Sequence, residues 1–272
     1  MNKKAVSIIL PTYNREHMVG KAIESVLKQS YTDFELIIID DGSTDKTEQV
    51  IASYNDKRIR YYRMQENGGQ SKARNRGMQM AKYDYLAFED SDDLWRPEKL
   101  EVQMNAMKKA DLDVGIIYHK FQYDLGEEHS IILPDQHIPL ENKSGDIYKQ
   151  LLKDNLVGMP TILTKKECIK EVGGMDESLR CLEDYDFVLR IAKRYKAIFL
   201  DEIYVDANYS STGVSCGTGS QYLIASCMLL AKYKADYLAT DTFNHRLEVI
   251  LRDADRLGVK ERIVQLLEKI LQ

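Results

Sequence analysis

The sequence predicts an α/β fold, a mostly parallel sheet flanked by helices, followed by a C-terminal helical extension. Three observations carry that prediction. Through residues 1–118, short and almost purely apolar runs alternate with segments whose apolar residues recur at helical spacing. Several of the apolar runs break off into polar, turn-forming clusters. Beyond residue 219 the strand signals cease and helical periodicity alone remains.

Residues 6–10 form a continuous apolar run ending at Pro11, as a central parallel strand does. Val19, Ala22, Ile23, Val26 and Leu27 then mark a helix. Residues 34–39 give a second buried strand, stopped by Asp40, Asp41, Gly42 and Ser43, and Ser43 is placed to cap the next helix. Ile59–Arg63 is a shorter third strand, residues 71–82 a helix and residues 83–88 the fourth strand. Pro97 opens a helix through about residue 110, and residues 114–118 make a fifth strand. From 120 the pattern loosens, with a strand at 161–164, a helix at 166–172, a helix at 183–195 and a short strand at 197–200. Helices are expected over 220–237, 241–257 and 260–271. The expected division is 1–118, 119–218 and 219–272.

Composition narrows the function. A net charge of −5 in 272 residues offers no polycationic surface for nucleic acid. No apolar run approaches the roughly 18 residues of a membrane-spanning helix, and the N-terminus lacks the pattern of a signal peptide. Cys168, Cys181, Cys216 and Cys227 lack zinc-site spacing and suit a reducing compartment, so a cytoplasmic location is expected. The apolar stretch at 222–231 is expected to pack on the rest of the chain or form a homodimer, in preference to peripheral contact with a membrane.

Polar clusters follow the first, second and fourth strands, and in a parallel sheet those strand ends share one edge. Asp90 and Asp92 can both lean toward one point and offer oxygen ligands to Mg²⁺ or Mn²⁺, whose shell substrate phosphates would complete. The plain alternative is a charged surface turn with Asp93 capping a helix. Asp41 can accept from an imide N–H, and the Tyr13 ring can stack on a base; a simple Asx turn is the alternative for the aspartates. Arg74 carries a fork suited to phosphate, though a surface helix arginine reads the same way. Glu183, Asp184 and Asp186 open an amphipathic helix, where acidic residues also suit the helix dipole.

Taken together, residues 6–14, 39–45, 67–77, 89–93, 173–177 and 183–186 resemble the inverting GT-A glycosyltransferases of family 2, over roughly residues 5–215. The resemblance implies a Rossmann-like GT-A sheet, nucleotide-sugar binding in the first half and acceptor binding in the second. It implies that Thr12 and Tyr13 hold the base, Asp41 meets its imide edge, and Arg74 lies near the diphosphate or ribose. Asp90 and Asp92 match the metal-binding D-x-D, with Asp92 the direct ligand. Asp184 matches the general base, with Glu183 and Asp186 shaping its pocket. The implied partners are a nucleotide-sugar donor, with UDP first among the nucleotides, and a saccharide or lipid-linked saccharide acceptor in cell-surface glycan synthesis. That places the protein in the cytoplasm, at or near the inner face of the plasma membrane. Asn155, Met159 and Thr161 are expected near the acceptor.

One departure stands out. Relatives carry a histidine after the last short strand, whereas residues 204–215 contain none and offer Asn208 and Tyr209 instead. Two other functions fit the same scaffold. One is a catalytically inactive nucleotide- or sugar-binding module, which would have no need of Asp184. The other is a nucleotidyltransferase, which would need a basic, glycine-rich loop where Pro11, Thr12, Tyr13 and Asn14 stand.

Overall fold

The computed structural model describes residues 4–124, 130–134, 137–208 and 219–271. Strands β1 (Val6–Thr12) and β2 (Phe34–Asp40) are buried at every position, as their mostly apolar sequences favour, and the buried Ser7 hydroxyl donates to Glu35 at 2.7 Å. Between them α1 (Val19–Leu27) turns Val19, Ala22, Ile23 and Val26 inward. Helix α2 (Thr47–Ala52) starts four residues after Ser43, which does not cap it. Asp45, just ahead of the helix, accepts from the Thr47 N–H at 2.9 Å and the Thr47 hydroxyl at 2.6 Å. Ser43 accepts from the Asn14 N–H at 2.9 Å and so serves the neighbouring loop.

Next come β3 (Ile59–Arg63), α3 (Gln70–Met80), β4 (Tyr85–Phe88), the two-residue β5 (Leu94–Trp95) and α4 (Lys99–Lys109). Strands β6 (Val114–Asp124) and β9 (Lys196–Asn208) are far longer than their apolar segments. They pair in parallel with register shifts near Lys120, so partly exposed residues extend both strands beyond any hydrophobic run. The hairpin strand β7 (Ser130–Leu133) pairs with β6. Helix α5 (Tyr148–Lys153), strand β8 (Leu163–Lys165), and helices α6 (Lys166–Val172) and α7 (Glu183–Ala192) complete the central region.

The sheet order is β3-β2-β1-β4-β8-β6-β9-β5. Its first four strands are parallel, and β8 runs antiparallel between β4 and β6, so the parallel character belongs chiefly to the first half. The order reverses at β1, which lies between β2 and β4, and this opens a crevice at the carboxyl ends of β1 and β4.

Alternating residues feed two cores. Ile8, Leu10, Leu36 and Ile38 pack with α1 and α4, while Ile9, Ile37, Ile39 and Phe88 face α3 and α7. Each such side chain contributes roughly 1.5–3 kcal/mol on burial. The expected helix over 220–237 is divided at Tyr233 into α8 (Ser220–Lys232) and α9 (Lys234–Ala239). Helices α10 (Phe243–Arg256) and α11 (Lys260–Ile270) pack on α8, and α10 also meets α5. The extension therefore shares the larger core. Among the described residues no helix is long and apolar enough to cross a membrane.

Helix α3 lies directly on β1 because Gly77 has no side chain, since a Cβ there would meet Ile9 Cγ2 at 2.5 Å. Gly77→Ala is expected to cost about 1–3 kcal/mol of unfolding free energy by overpacking, measured by urea denaturation. An unchanged midpoint would contradict this close approach.

Candidate active site

The loop after β1 is stitched to the loop after β2. The Arg15 N–H donates to Thr47 Oγ1 at 2.8 Å, the Glu16 N–H to Asp45 at 3.1 Å, and the Thr44 N–H to Asn14 Oδ1 at 2.8 Å. Asn14 sits at φ 51°, a left-handed position that asparagine tolerates. This bracing leaves Tyr13 41% exposed, with its ring free to serve as a platform.

Asp41 is buried, and its two oxygens accept from the Gly68 and Gly69 N–H groups at 2.8 and 2.7 Å. It thereby ties β2 to the start of α3, with one lone pair remaining on each oxygen. Burial raises its carboxyl above the usual range, against the pull of those two N–H groups.

Arg74 on α3 is 4% exposed, so it is no surface arginine. Its fork donates to Asp90 Oδ1 at 2.5 Å and Glu183 Oε1 at 3.2 Å. Burial works against its charge, but Asp90 and Glu183 more than offset this and hold the guanidinium protonated.

The four acids after β4 divide their duties. Asp90 and Asp92 line the cleft. Asp93 turns inward to accept from the Asn208 N–H at 3.0 Å, so it does not cap α4, and Asn208 is engaged by it. Tyr209 lies outside the described residues. Glu89 is fully buried, where burial and Asp93 raise its carboxyl, and Lys99 pulls the other way. Burial and then Asp90 raise Asp92, with Arg15 opposing them from 3.6 Å.

The cleft holds about 540 Å³. Thr12, Tyr13, Asp41, Arg74, Asp90 and Asp92 all line it. So do Arg15, Arg180 and Gln221, which sequence reasoning did not select. Arg15 had a readable signal, being a cation directly after the first strand's turn; Gln221 had none.

The lining does not extend to Asp184. This residue is partly buried, and its electrostatic neighbours are Arg74 and Asp90, which do line the cleft. Burial raises the Asp184 carboxyl, partly countered by Arg74. Burial and then Asp184 raise Glu183 more than Arg74 lowers it. Tyr123, at the end of β6, was also missed. Burial raises its phenol first, and the fields of Asp93, Asp90, Asp184 and Asp92 then add to the rise, so these acids share one neighbourhood.

Some expected residues lie elsewhere. Asp186 is wholly buried against Tyr233, Lys232 and Arg190, so its carboxylate is engaged by the helices and not by a pocket. Met159 and Thr161 are buried in the core and do not line the cleft, while Asn155 is exposed.

Thr12 Oγ1 and the Nε atoms of Arg15 and Arg74 are buried without a hydrogen-bond partner, and all belong to cleft-lining residues. Such orphaned groups fit a polar ligand. Among the described residues no cluster of three or more His, Cys, Asp or Glu could cage a metal. Asp90 and Asp92 supply hard oxygen donors for Mg²⁺ or Mn²⁺ only if ligand phosphates fill the remaining positions.

Residues 7–162 match the family model "Glycosyl transferase family 2". The chain belongs to glycosyltransferase family 2. The family match ends before α7. WcaA of Escherichia coli (strain K12), named provisionally as a glycosyl transferase of colanic acid biosynthesis, is 32% identical over 199 residues, 71% of this chain and 68% of its own. The curated family members are often longer, and the chain spans from 34% to 76% of their length. The fold matches S. aureus TarS in complex with UDP-GlcNAc at a TM-score of 0.73 and 21% identity, over 94% of this chain and 76% of that one. The mannosyltransferase PcManGT of Pyrobaculum calidifontis, with GDP-Man and Mn²⁺, matches at a TM-score of 0.64 and 17% identity, over 96% and 74%. The chain is thus a glycosyltransferase with the GT-A fold.

Arg74→Met strands Asp90 and Glu183. It is expected to cost up to about 3–5 kcal/mol of unfolding free energy, by denaturant titration at a pH above the Glu183 value of about 7, where Glu183 is ionised. Because Glu183 is already raised, acid protonates it and removes its need for a partner. The variant's deficit should therefore shrink as pH falls and grow as pH rises through the Glu183 pKa. A pH-independent deficit would contradict the pairing.

Proposed function

We propose that this glycosyltransferase moves a sugar, with inversion, from a nucleoside-diphosphate sugar to a saccharide hydroxyl in cell-surface glycan synthesis. A UDP-sugar is the first choice of donor, and a free or lipid-linked saccharide the acceptor. One observation carries the reading: Asp90 and Asp92 share a cleft with Tyr13, Thr12 and Asp41, so a ligand with a base at one end and phosphates at the other fits its chemistry. The UDP-GlcNAc bound to TarS, the GDP-Man and Mn²⁺ of PcManGT, and the pathway for which WcaA is named support it.

In this reading Tyr13 stacks on the base and Thr12 holds it, with the remaining lone pairs of Asp41 on its imide edge. Arg74 is already committed to two carboxylates, so Arg15 and Arg180 take the larger share of the diphosphate charge. Asp90 and Asp92 would hold Mn²⁺ or Mg²⁺, with Asp92 as the direct ligand. When bound with the diphosphate, the cation neutralises charge on the leaving group. Asp184 takes the proton of the acceptor hydroxyl as that oxygen bonds to the anomeric carbon. The bond from that carbon to the diphosphate oxygen breaks, and its electron pair leaves with the nucleoside diphosphate. A cytoplasmic location at the inner face of the plasma membrane goes with such a donor.

Asp184→Asn is expected to lower kcat by about 10²–10⁴-fold while donor affinity stays within about two-fold, since a base acts on the transition state and not on the donor. Because burial raises the Asp184 carboxyl and the base works ionised, wild-type kcat/KM should fall as pH drops through that raised value. Release of nucleoside diphosphate supports transfer. Release of pyrophosphate, or unimpaired transfer by the variant, would overturn it.

A further inference from the structure

The carboxylate of Asp186 is entirely withdrawn from water, two residues after Asp184 on the first turns of α7. It accepts from Arg190 Nε of its own helix at 2.9 Å and from the Tyr233 hydroxyl at 2.8 Å, and it pairs with Lys232 Nζ at 2.7 Å. Two of those partners come from the C-terminal extension, far along the chain and outside the family match. A carboxylate at this depth is costly to leave unpaired, so Lys232 and Tyr233 fix where α7 sits.

Lys232 has a second hold. Its ammonium also donates to Asp176 Oδ2 at 2.9 Å, and Asp176 accepts from the Ser178 hydroxyl at 2.6 Å. The same loop contributes Glu177, Leu179 and Arg180 to the cleft. Its other side is held by Asn75 of α3, which accepts from the Met175 N–H at 2.7 Å and donates to the Met175 carbonyl at 3.0 Å. Arg190 closes the ring by donating to the Val172 and Gly174 carbonyls at 2.8 and 2.7 Å. Farther along α8–α9, Lys193 of α7 pairs with Asp236 at 2.7 Å.

We infer that Lys232 and Tyr233 are positioning residues, through which the C-terminal extension holds the first turn of α7 and the 174–180 wall in register with the cleft. Tyr233 acts on α7 alone, through Asp186. Lys232 acts on both α7 and the wall. The inference rests on the proposed role of Asp184 as the base, but the clamp itself can be read without activity.

The experiment uses the full chain with Tyr233→Phe, Lys232→Met and Lys232→Arg, read by steady-state kinetics and by amide hydrogen exchange well below each variant's Tm. Tyr233→Phe keeps the ring and its volume, which protects the test against simple misfolding. Its kcat is expected to fall about 10-fold with donor KM little changed, because a small displacement of a reacting group is enough for such a loss. Lys232→Met should lower kcat by about 10–100-fold and also raise donor KM, since the wall loosens as well. Lys232→Arg should restore most of both. Amides at 183–187 should exchange faster in Tyr233→Phe, and those at 174–180 also in Lys232→Met. A lower Tm with unchanged kcat, KM and local exchange would reduce both residues to general stability and overturn the proposal. If the wild type transfers no sugar, the functional reading fails, and the exchange pattern alone decides whether the clamp exists.

Discussion

The structure turns on Arg74. One buried guanidinium joins Asp90, after β4, to Glu183, at the head of α7, and so binds the parallel half of the sheet to the helix that carries Asp184. Its own position is fixed from two directions. Gly77 lets α3 rest on Ile9, and Asp41 holds the Gly68–Gly69 turn from which that helix departs. Packing thus sets a distance and the ion pairs convert it into a site geometry. A buried pair of this kind adds little to stability over an apolar equivalent, but removing one member leaves uncompensated charge.

The charge balance around Arg74 explains the chemistry. Glu89, Asp90, Asp92, Asp93, Glu183 and Asp184 act on one another, facing Arg15, Arg74 and Lys99. Lys99 is itself pushed down to about 7 by burial, with Glu89 pulling it back up, and its ammonium lies 3.8 Å from the Trp95 ring centroid. Burial, and after it neighbouring carboxylates, raise Glu89, Asp92, Asp93, Glu183 and Asp184, and the acids of this cluster outnumber the cations that face them. A divalent cation held at Asp90 and Asp92 would relieve it where the cleft is open. The same deficit draws Arg15 toward Asp92, at a distance too long for a strong hydrogen bond.

Much of this fold could be read from residues alone, for identifiable reasons. Buried parallel strands are dominated by apolar runs, so β1 and β2 were legible, β3 was placed to the residue and α6 lies where a helix was expected. The apolar starts of β6 and β9, at 114–118 and 197–200, were legible too. Their extensions were not, because those mixed polar and apolar residues are held by pairing with each other, with β7 and with β5 and leave no continuous hydrophobic signature. Polar clusters at strand ends pointed to the cleft. The two-residue spacing of Asp90 and Asp92 also picked out the acids that line it, but not that their neighbour Asp93 turns to Asn208 instead of capping a helix. Nor could spacing reveal that Asp186 belongs to Lys232 and Tyr233, since such partners meet only when the extension docks. Local sequence thus reports burial and turns. The choice of partner among charged groups is a tertiary decision.

The central claim is that the acidic cleft is completed by a divalent cation and a nucleotide together. Calorimetric titration of wild type and Asp92→Ala with UDP and GDP, each with and without Mn²⁺, tests it most directly. One nucleotide is expected to bind wild type tightly only with the metal, and Asp92→Ala to lose that metal-dependent gain while staying folded. Equal binding with and without Mn²⁺, or no binding of either nucleotide by folded wild type, would contradict it.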